Sequence, residues 1–206
     1  MLWVASDEVC KRLRAQGFEA RAAGLAEGAT GADMAERFPE LLTMAESERP
    51  NFAFSKIFGT PSAAPMLEDL LPVARAWNPD LLVCEQLELA GPIVAALLNV
   101  PNVTHGLGHP LPERLLRCVG EEMTALWREH GLQEPDHAGT YEHLYLDIYP
   151  DRLKSFPSPH IASSLPVRPH TPSPRAEDPG GRPLVCVTFG TVFNQDLTEP
   201  KGPSLP

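Results

Sequence analysis

The chain has 206 residues, 43% of them hydrophobic and 7% aromatic, with a formal net charge of −10 and a pI near 5.1. That length holds one α/β domain, or one domain and the start of another, with apolar content for a real core. The acidic balance argues against a general nucleic-acid or anionic-membrane binder, which needs clustered Lys and Arg. It leaves room for a phosphate site built from backbone amides.

No stretch reaches the ~18 uninterrupted apolar residues of a membrane span. Met1–Val9 lacks a basic leader followed by a long apolar core, so no signal peptide is expected there; a strand begins almost at once, as in the middle of a fold. Cys10, Cys84, Cys118 and Cys186 form no CxxC pair, and Cys84 and Cys186 lie in apolar runs. Free thiols in a reducing cytoplasm are expected.

In chain order, Leu2–Ala5 reads as a short buried strand. Ser6 can cap the helix that follows, with Asp7 and Glu8 in its first turn and Gly17 as the stop. Phe18–Ala23 reads as extended. Between Gly24 and Thr60 the pattern is punctuated by glycines and prolines, with a helix expected around Met34–Ser47 and an apolar patch at Phe52, Phe54 and Phe58. Core packing is the favoured reading of that patch; the sharper one is a wall for an apolar ligand.

Leu67, Leu70, Leu71, Ala74 and Trp77 keep helical spacing up to a break at Asn78-Pro79-Asp80, with Pro72 a candidate kink. Leu81–Cys84 is a continuous apolar run, as in a parallel strand covered on both faces. A helix over Pro92–Asn99 and a strand over Asn102–His105 complete a βαβ unit. Leu115, Val119, Met123, Leu126 and His130 mark a long helix ended by Gly131, and Tyr145–Ile148 is extended again. Pro150–Pro183 then carries nine prolines in 34 residues. It reads as a semi-rigid interdomain linker, so the strand beginning at Leu184 belongs to a second domain.

Chemistry is expected where strands end, since open α/β sheets place functional groups at their carboxyl edge. Glu85 sits one residue past the Leu81–Cys84 strand, with Glu88 near it. A carboxylate there can orient a histidine base; the alternative is a solvated acid or cap. "HGLGHP" puts His105 and His109 after the next strand. Their spacing resembles a zinc pair, but glycines and a proline deny the aligning helix, so a pocket-lining loop is the better reading. "FGTVFN", with Gly190 and Thr191, is either a phosphate-holding loop or a plain turn. Neither a GxGxxG nor a GxxxxGK[ST] motif is present, and no GxSxG elbow accompanies Ser163 or Ser164.

Taken together, "PDLLVCEQLELAGPIVAALLNVPNVTHGLG" resembles the later N-terminal-domain strands of bacterial family 1 glycosyltransferases, which act on macrolides, enediynes and other natural products. "LWVASDEVCKRLRAQGFEARAAG" is similar to that family's second strand, helix and third strand. "LDIYPDRLKSF" resembles the stretch before the linker, and "RPLVCVTFGTVFN" the first strand and loop of the C-terminal domain.

The resemblance implies a GT-B fold of two Rossmann-like domains. Residues 1–149 correspond to an acceptor-side Rossmann-like parallel sheet with flanking helices, lacking its first strand. Residues 150–183 are the linker, and 184–206 the start of the nucleotide-sugar-binding domain. It further implies inverting sugar transfer from a nucleotide-sugar donor to a small hydrophobic acceptor, with no cofactor and no catalytic metal. A histidine base would be supported by a carboxylate, and none of the seven histidines matches that base. Glu85 falls where the supporting carboxylate is often Asp. Gly190 and Thr191 match the donor loop, and Phe54, Phe58, His105 and Gly106 are the candidate acceptor pocket. A chain truncated at both ends is expected to be inactive by itself; a non-catalytic or small-molecule-binding module of the same ancestry is the alternative.

Overall fold

A computed structural model describes residues 1–25, 38–45 and 48–168. The chain divides into two compact units, one of residues 1–27 and 44–168, the other of 28–43 and 169–206. Of the second unit the described part is 38–43, holding the short helix α2 (Glu40–Thr43), where Thr43 Oγ1 donates to the Glu40 carbonyl at 3.1 Å. Of the expected Met34–Ser47 helix, only 40–43 are helical among the described residues; 38, 39, 44 and 45 are not, and 34–37 and 46–47 lie outside the described residues, as do Gly190 and Thr191.

The first unit opens with β1 (Trp3–Ala5), α1 (Asp7–Ala15) and β2 (Ala20–Ala22). Ser6 holds the N-cap position of α1 without a side-chain cap bond. Gly17, at φ +87°, lets the chain turn back after the helix. β1 and β2 pair in parallel, Trp3 opposite Ala20.

Two helices follow, α3 (Arg49–Phe58) and α4 (Thr60–Trp77). The phenylalanine patch therefore sits on a helix, in a region that reads as punctuation in the sequence; prolines placed in the first turns are tolerated because no intrahelical N–H is lost there. Pro65 and Pro72 both lie inside α4. Asn78 closes that helix in the left-handed conformation, φ 54°.

Next come β3 (Leu82–Glu85), α5 (Ala90–Leu98), β4 (Asn102–His105), α6 (Glu113–Glu129), β5 (Leu144–Asp147) and β6 (Ser164–Pro166). They form a four-stranded parallel sheet in the order β3-β4-β5-β6, separate from the β1–β2 pair. Within the 150–183 stretch, the part up to Arg168 belongs to the first compact unit and supplies β6. Pro166 is tolerated because β6 is an edge strand, where one missing donor disrupts no ladder on its outer side.

The register sorts the side chains onto two faces. Cys84, Asn102, Thr104, Tyr145 and Asp147 share the face that is buried. The main core lies with the helices: Leu67, Leu70, Ile93, Val94, Met123 and Trp127 are all buried in one cluster drawn from α4, α5 and α6. The opposite face carries Val83, Val103, Leu144, Leu146 and Leu165, none of them buried. Leu81–Cys84 reads as covered on both faces, yet Leu81 is 46% and Val83 58% exposed. Among the described residues, only one face of this strand has helices packed on it. No helix of the described residues is long and apolar enough to cross a membrane.

Candidate functional site

The site follows from where the strands stop. Glu85 is the last residue of β3, rather than one past it, and His105 is the last of β4. The two are register partners at the carboxyl edge. Register partners point to one side, so carboxyl and imidazole share the less covered face.

The backbone beyond Glu85 is fixed by its neighbours. The Gln86 N–H donates to the His105 carbonyl at 3.1 Å. Glu85 Oε1 accepts the Leu87 N–H at 3.0 Å, and Glu88 Oε1 accepts the N–H of Ala90, the first residue of α5, at 2.9 Å. Burial pushes the Glu85 carboxyl up to about 7; the Leu87 amide opposes this, and the neighbouring Glu88 adds to it. Burial raises Glu88 too, against the pull of the Ala90 and Gly91 amides. Burial therefore makes both carboxyls hold a proton more readily than a free carboxyl does. Gly91 permits the turn between them, because a Cβ there would overlap Cys84 Sγ on the strand below.

Gly106 follows His105 and donates its N–H to the Leu146 carbonyl at 2.9 Å, carrying the loop across β5. A Cβ at Gly106 would overlap Tyr145 Oη, so glycine is required by close approach rather than by backbone angle. His109, further along the loop, is clamped between Tyr149 and Phe156, with ring centroids 5.1 and 4.0 Å away. Its Nε2 accepts the Ser155 N–H at 3.2 Å. A neutral ring must then carry its proton on Nδ1, which lies 2.9 Å from the Pro110 carbonyl oxygen. Both nitrogens are engaged, which suits a loop-packing residue. Among the described residues no group of three or more His, Cys, Asp or Glu is placed to hold a metal.

Phe54 is 8% exposed within the main core, and Phe58 packs partly buried against it with ring centroids 5.5 Å apart. Core packing therefore describes Phe54, while Phe58 lies at the margin of the cluster.

Tyr141, which the sequence reading passes over, joins three loops. Its Oη donates to Gln86 Oε1 at 3.3 Å and accepts the Leu111 N–H at 3.1 Å, and its own N–H donates to Thr104 Oγ1 at 3.2 Å. It sits at φ +65°, in a segment where His137, Ala138 and Gly139 also have positive φ. Non-glycine residues hold such angles only where surrounding contacts fix them. The signal available in the sequence was a tyrosine beside Gly139-Thr140, which has no fixed spacing from Gln86 or Leu111.

Residues 15–148 match the family model described as erythromycin biosynthesis protein CIII-like, N-terminal domain. The chain is 36% identical over 132 residues to an L-demethylnoviosyl transferase of Streptomyces niveus, covering 59% of this chain and 33% of that protein. Among solved structures, the glycosyltransferase VinC in complex with dTDP superposes with a TM-score of 0.60 at 22% identity, over 79% of this chain and 45% of that one. The spinosyn rhamnosyltransferase SpnG complexed with spinosyn aglycone gives 0.57 at 22% identity, over 77% and 39% respectively. The chain thus spans about a third of the length of its transferase relative and under half of these two structures. With a parallel α/β sheet, helical flank and carboxyl-edge loops in this arrangement, the chain belongs to the erythromycin CIII-like glycosyltransferase family of GT-B fold, through its N-terminal domain.

Proposed function

We propose that the chain forms the acceptor-side lobe of an inverting glycosyltransferase. The complete enzyme moves a sugar from a nucleotide-sugar donor to a hydroxyl of a small hydrophobic natural product. In this reading residues 1–149 are the acceptor domain, 150–183 carry the connection, and 184–206 begin the donor domain, where Gly190 and Thr191 approach the donor. The transfer uses no cofactor and no metal. The setting is cytoplasmic, and no nucleic acid takes part.

The observation that carries the reading is the pairing of Glu85 and His105 on one face of the carboxyl edge, with the Glu85 carboxyl held near neutrality by burial. A carboxyl in that state loses its proton when an imidazolium forms beside it, because the new positive charge offsets the cost of burial. Glu85 is therefore assigned as the positioning residue for a histidine base supplied by a further parallel strand lying between β1 and β3. His105 and Gly106 line the acceptor pocket, with Phe58 at its wall and Phe54 behind. The acceptor hydroxyl gives its proton to the base as its oxygen bonds the anomeric carbon, and the nucleoside diphosphate leaves with the bonding pair.

The test compares the 206-residue chain with a form extended in frame through that strand and a whole donor domain. The extended form should transfer sugar from a dTDP- or UDP-sugar; the shorter chain should turn over nothing. In the extended enzyme, Glu85→Gln should lower kcat by about a hundredfold or more with donor KM little changed. It should also move the pH profile, and Glu85→Asp should restore much of the rate. Turnover by the short chain, or an unchanged pH profile in Glu85→Gln, overturns the assignment.

A second reading has its own support. The border of β3, unpaired among the described residues, and the exposed Val83 suit a lobe that binds a small apolar molecule without turning it over.

A further inference from the structure

One buried residue is bonded to a chain neighbour of each member of the Glu85–His105 pair. The Tyr141 Oη donates to Gln86 Oε1 at 3.3 Å, and Gln86 follows Glu85. The Tyr141 N–H donates to Thr104 Oγ1 at 3.2 Å, and Thr104 precedes His105. The Gln86 N–H closes this ring of bonds on the His105 carbonyl at 3.1 Å. A further bond, from the Leu111 N–H to Tyr141 Oη at 3.1 Å, ties in the far end of the loop after β4.

These groups are shut away from water: Tyr141 is 3%, Gln86 5% and Thr104 2% exposed. Such bonds are not exchanged for bonds to solvent, so removing one partner strands the other. Burial raises the Tyr141 hydroxyl above its ordinary range, against the pull of the Leu111 amide. The hydroxyl therefore stays protonated, giving its proton to Gln86 while it accepts from Leu111.

Packing alone does not require that oxygen. The Tyr141 ring meets Tyr145 edge-on with centroids 4.9 Å apart, a contact phenylalanine would make equally. The backbone is held at a cost, with φ at +65° on Tyr141 after positive values at His137, Ala138 and Gly139. Angles of this kind persist where surrounding contacts fix them, and those at Tyr141 include both edge loops.

We propose that Tyr141 is a positioning residue, whose hydroxyl fixes the placement of Glu85 relative to His105 through Gln86 and the Leu111 loop. This rests on reading that pair as the site. Tyr141 itself touches no reacting atom. Loosening Gln86 loosens the turn that gives Glu85 its buried surroundings and its bond from the Leu87 N–H.

The test is Tyr141→Phe in the 206-residue chain, read by amide hydrogen exchange and by the NMR shift of the Glu85 carboxyl against pH. Exchange at Gln86 and Gly106 should quicken about tenfold or more relative to Leu82, whose N–H bonds the Pro101 carbonyl at the other end of the same strand pair. Lost global stability by itself would quicken all three alike. The Glu85 midpoint should fall from about 7 toward 4.5, by about half a unit or more, as water reaches the carboxyl. The parent chain, in enough urea to match the variant's stability, should show no such fall. Gln86→Met removes the acceptor but keeps the Leu111 bond; it should also lower the midpoint, and the double variant should go no lower than Tyr141→Phe alone. In the extended enzyme, Tyr141→Phe should lower kcat about tenfold with donor KM little changed. A moved midpoint with unchanged kcat keeps the positioning role and removes the transfer role of Glu85. Equal quickening at Leu82 and Gln86, or a Glu85 midpoint unmoved in both variants, overturns the proposal.

Discussion

The two sheets of the first unit are built from the same kind of unit, a parallel strand pair spanned by a helix, yet they differ in what surrounds them. β4 has hydrogen-bonded strands on both sides, and Asn102 and Thr104 are buried beneath it. β1 has a strand on one side only, three residues long, and its Trp3 is 40% exposed. Among the described residues, both β1 and β3 end their sheets with an open parallel border. Yet Val4 of β1 packs partly buried against the same helical core that covers β3. One layer of helices thus underlies two sheets that are not joined. Completed parallel sheets bury both faces and leave no central border open, so the difference locates where the fold is least self-sufficient: between β1 and β3, and on the face carrying Val83.

The comparison is broken most forcefully from the core side. Ile93 is fully buried on α5 in the shared helical layer. Ile93→Ala should cost ~2–5 kcal/mol by urea denaturation, through lost transfer energy and a residual cavity. A cost below ~1 kcal/mol would mean that the layer is not packed as described. Gly91→Ala comes next, since its methyl would meet Cys84 Sγ and force strand and helix apart. Overpacking of this kind costs ~1–3 kcal/mol, and Cys84→Ala should recover part of it, a coupling that only direct contact explains.

The pH dependence is subtler. Folded, Glu85 holds its proton up to about pH 7, whereas unfolded it releases it near the ordinary value of 4.5. Between those values the folded chain binds more protons, so stability contributed by the protonated carboxyl falls as pH rises through this window. Glu85→Gln removes the term. Its urea midpoint should match the parent at about pH 4 and exceed it at about pH 8; a midpoint lower than the parent's at the higher pH would show that the ionised carboxyl is stabilising instead.

How much of this was legible depended on how local the cause was. Asn102–His105 was readable to the residue, because a proline before it and a glycine after it bracket the four residues. Glu85 and His105 followed at once, since strand ends define the edge. Helix α3 was hidden by Pro50 and Gly59, which read as breakers although they stand at its first turn and just past its end. β6 was hidden the same way by Pro166, which an edge strand tolerates. The contacts of Tyr141 with Gln86 and Leu111, and the approach of Tyr145 Oη to Gly106, join residues whose separation in sequence carries no pattern. Only the folded register brings them together. The bare face was illegible for a different reason: Leu81–Cys84 looks like a fully buried strand, and sequence alone does not say what lies against it.

That last ambiguity gives the smallest expected effect and the sharpest use of the comparison. Val83 is 58% exposed, and its side chain sits at the open border of β3. Val83→Lys in this chain should therefore change stability by no more than ~0.5 kcal/mol, as for surface substitutions generally. Val103 lies opposite Val83 in register, one strand further in, and is already half-buried. Val103→Lys should cost more, ~1 kcal/mol or above, because its stem must leave apolar neighbours and its charge must still reach water. In the extended protein proposed above, a strand against β3 would bury Val83 as well, and the two substitutions should then cost alike. If Val83→Lys stays neutral there too, nothing covers that border, and the gap between the two sheets is a feature of the finished fold.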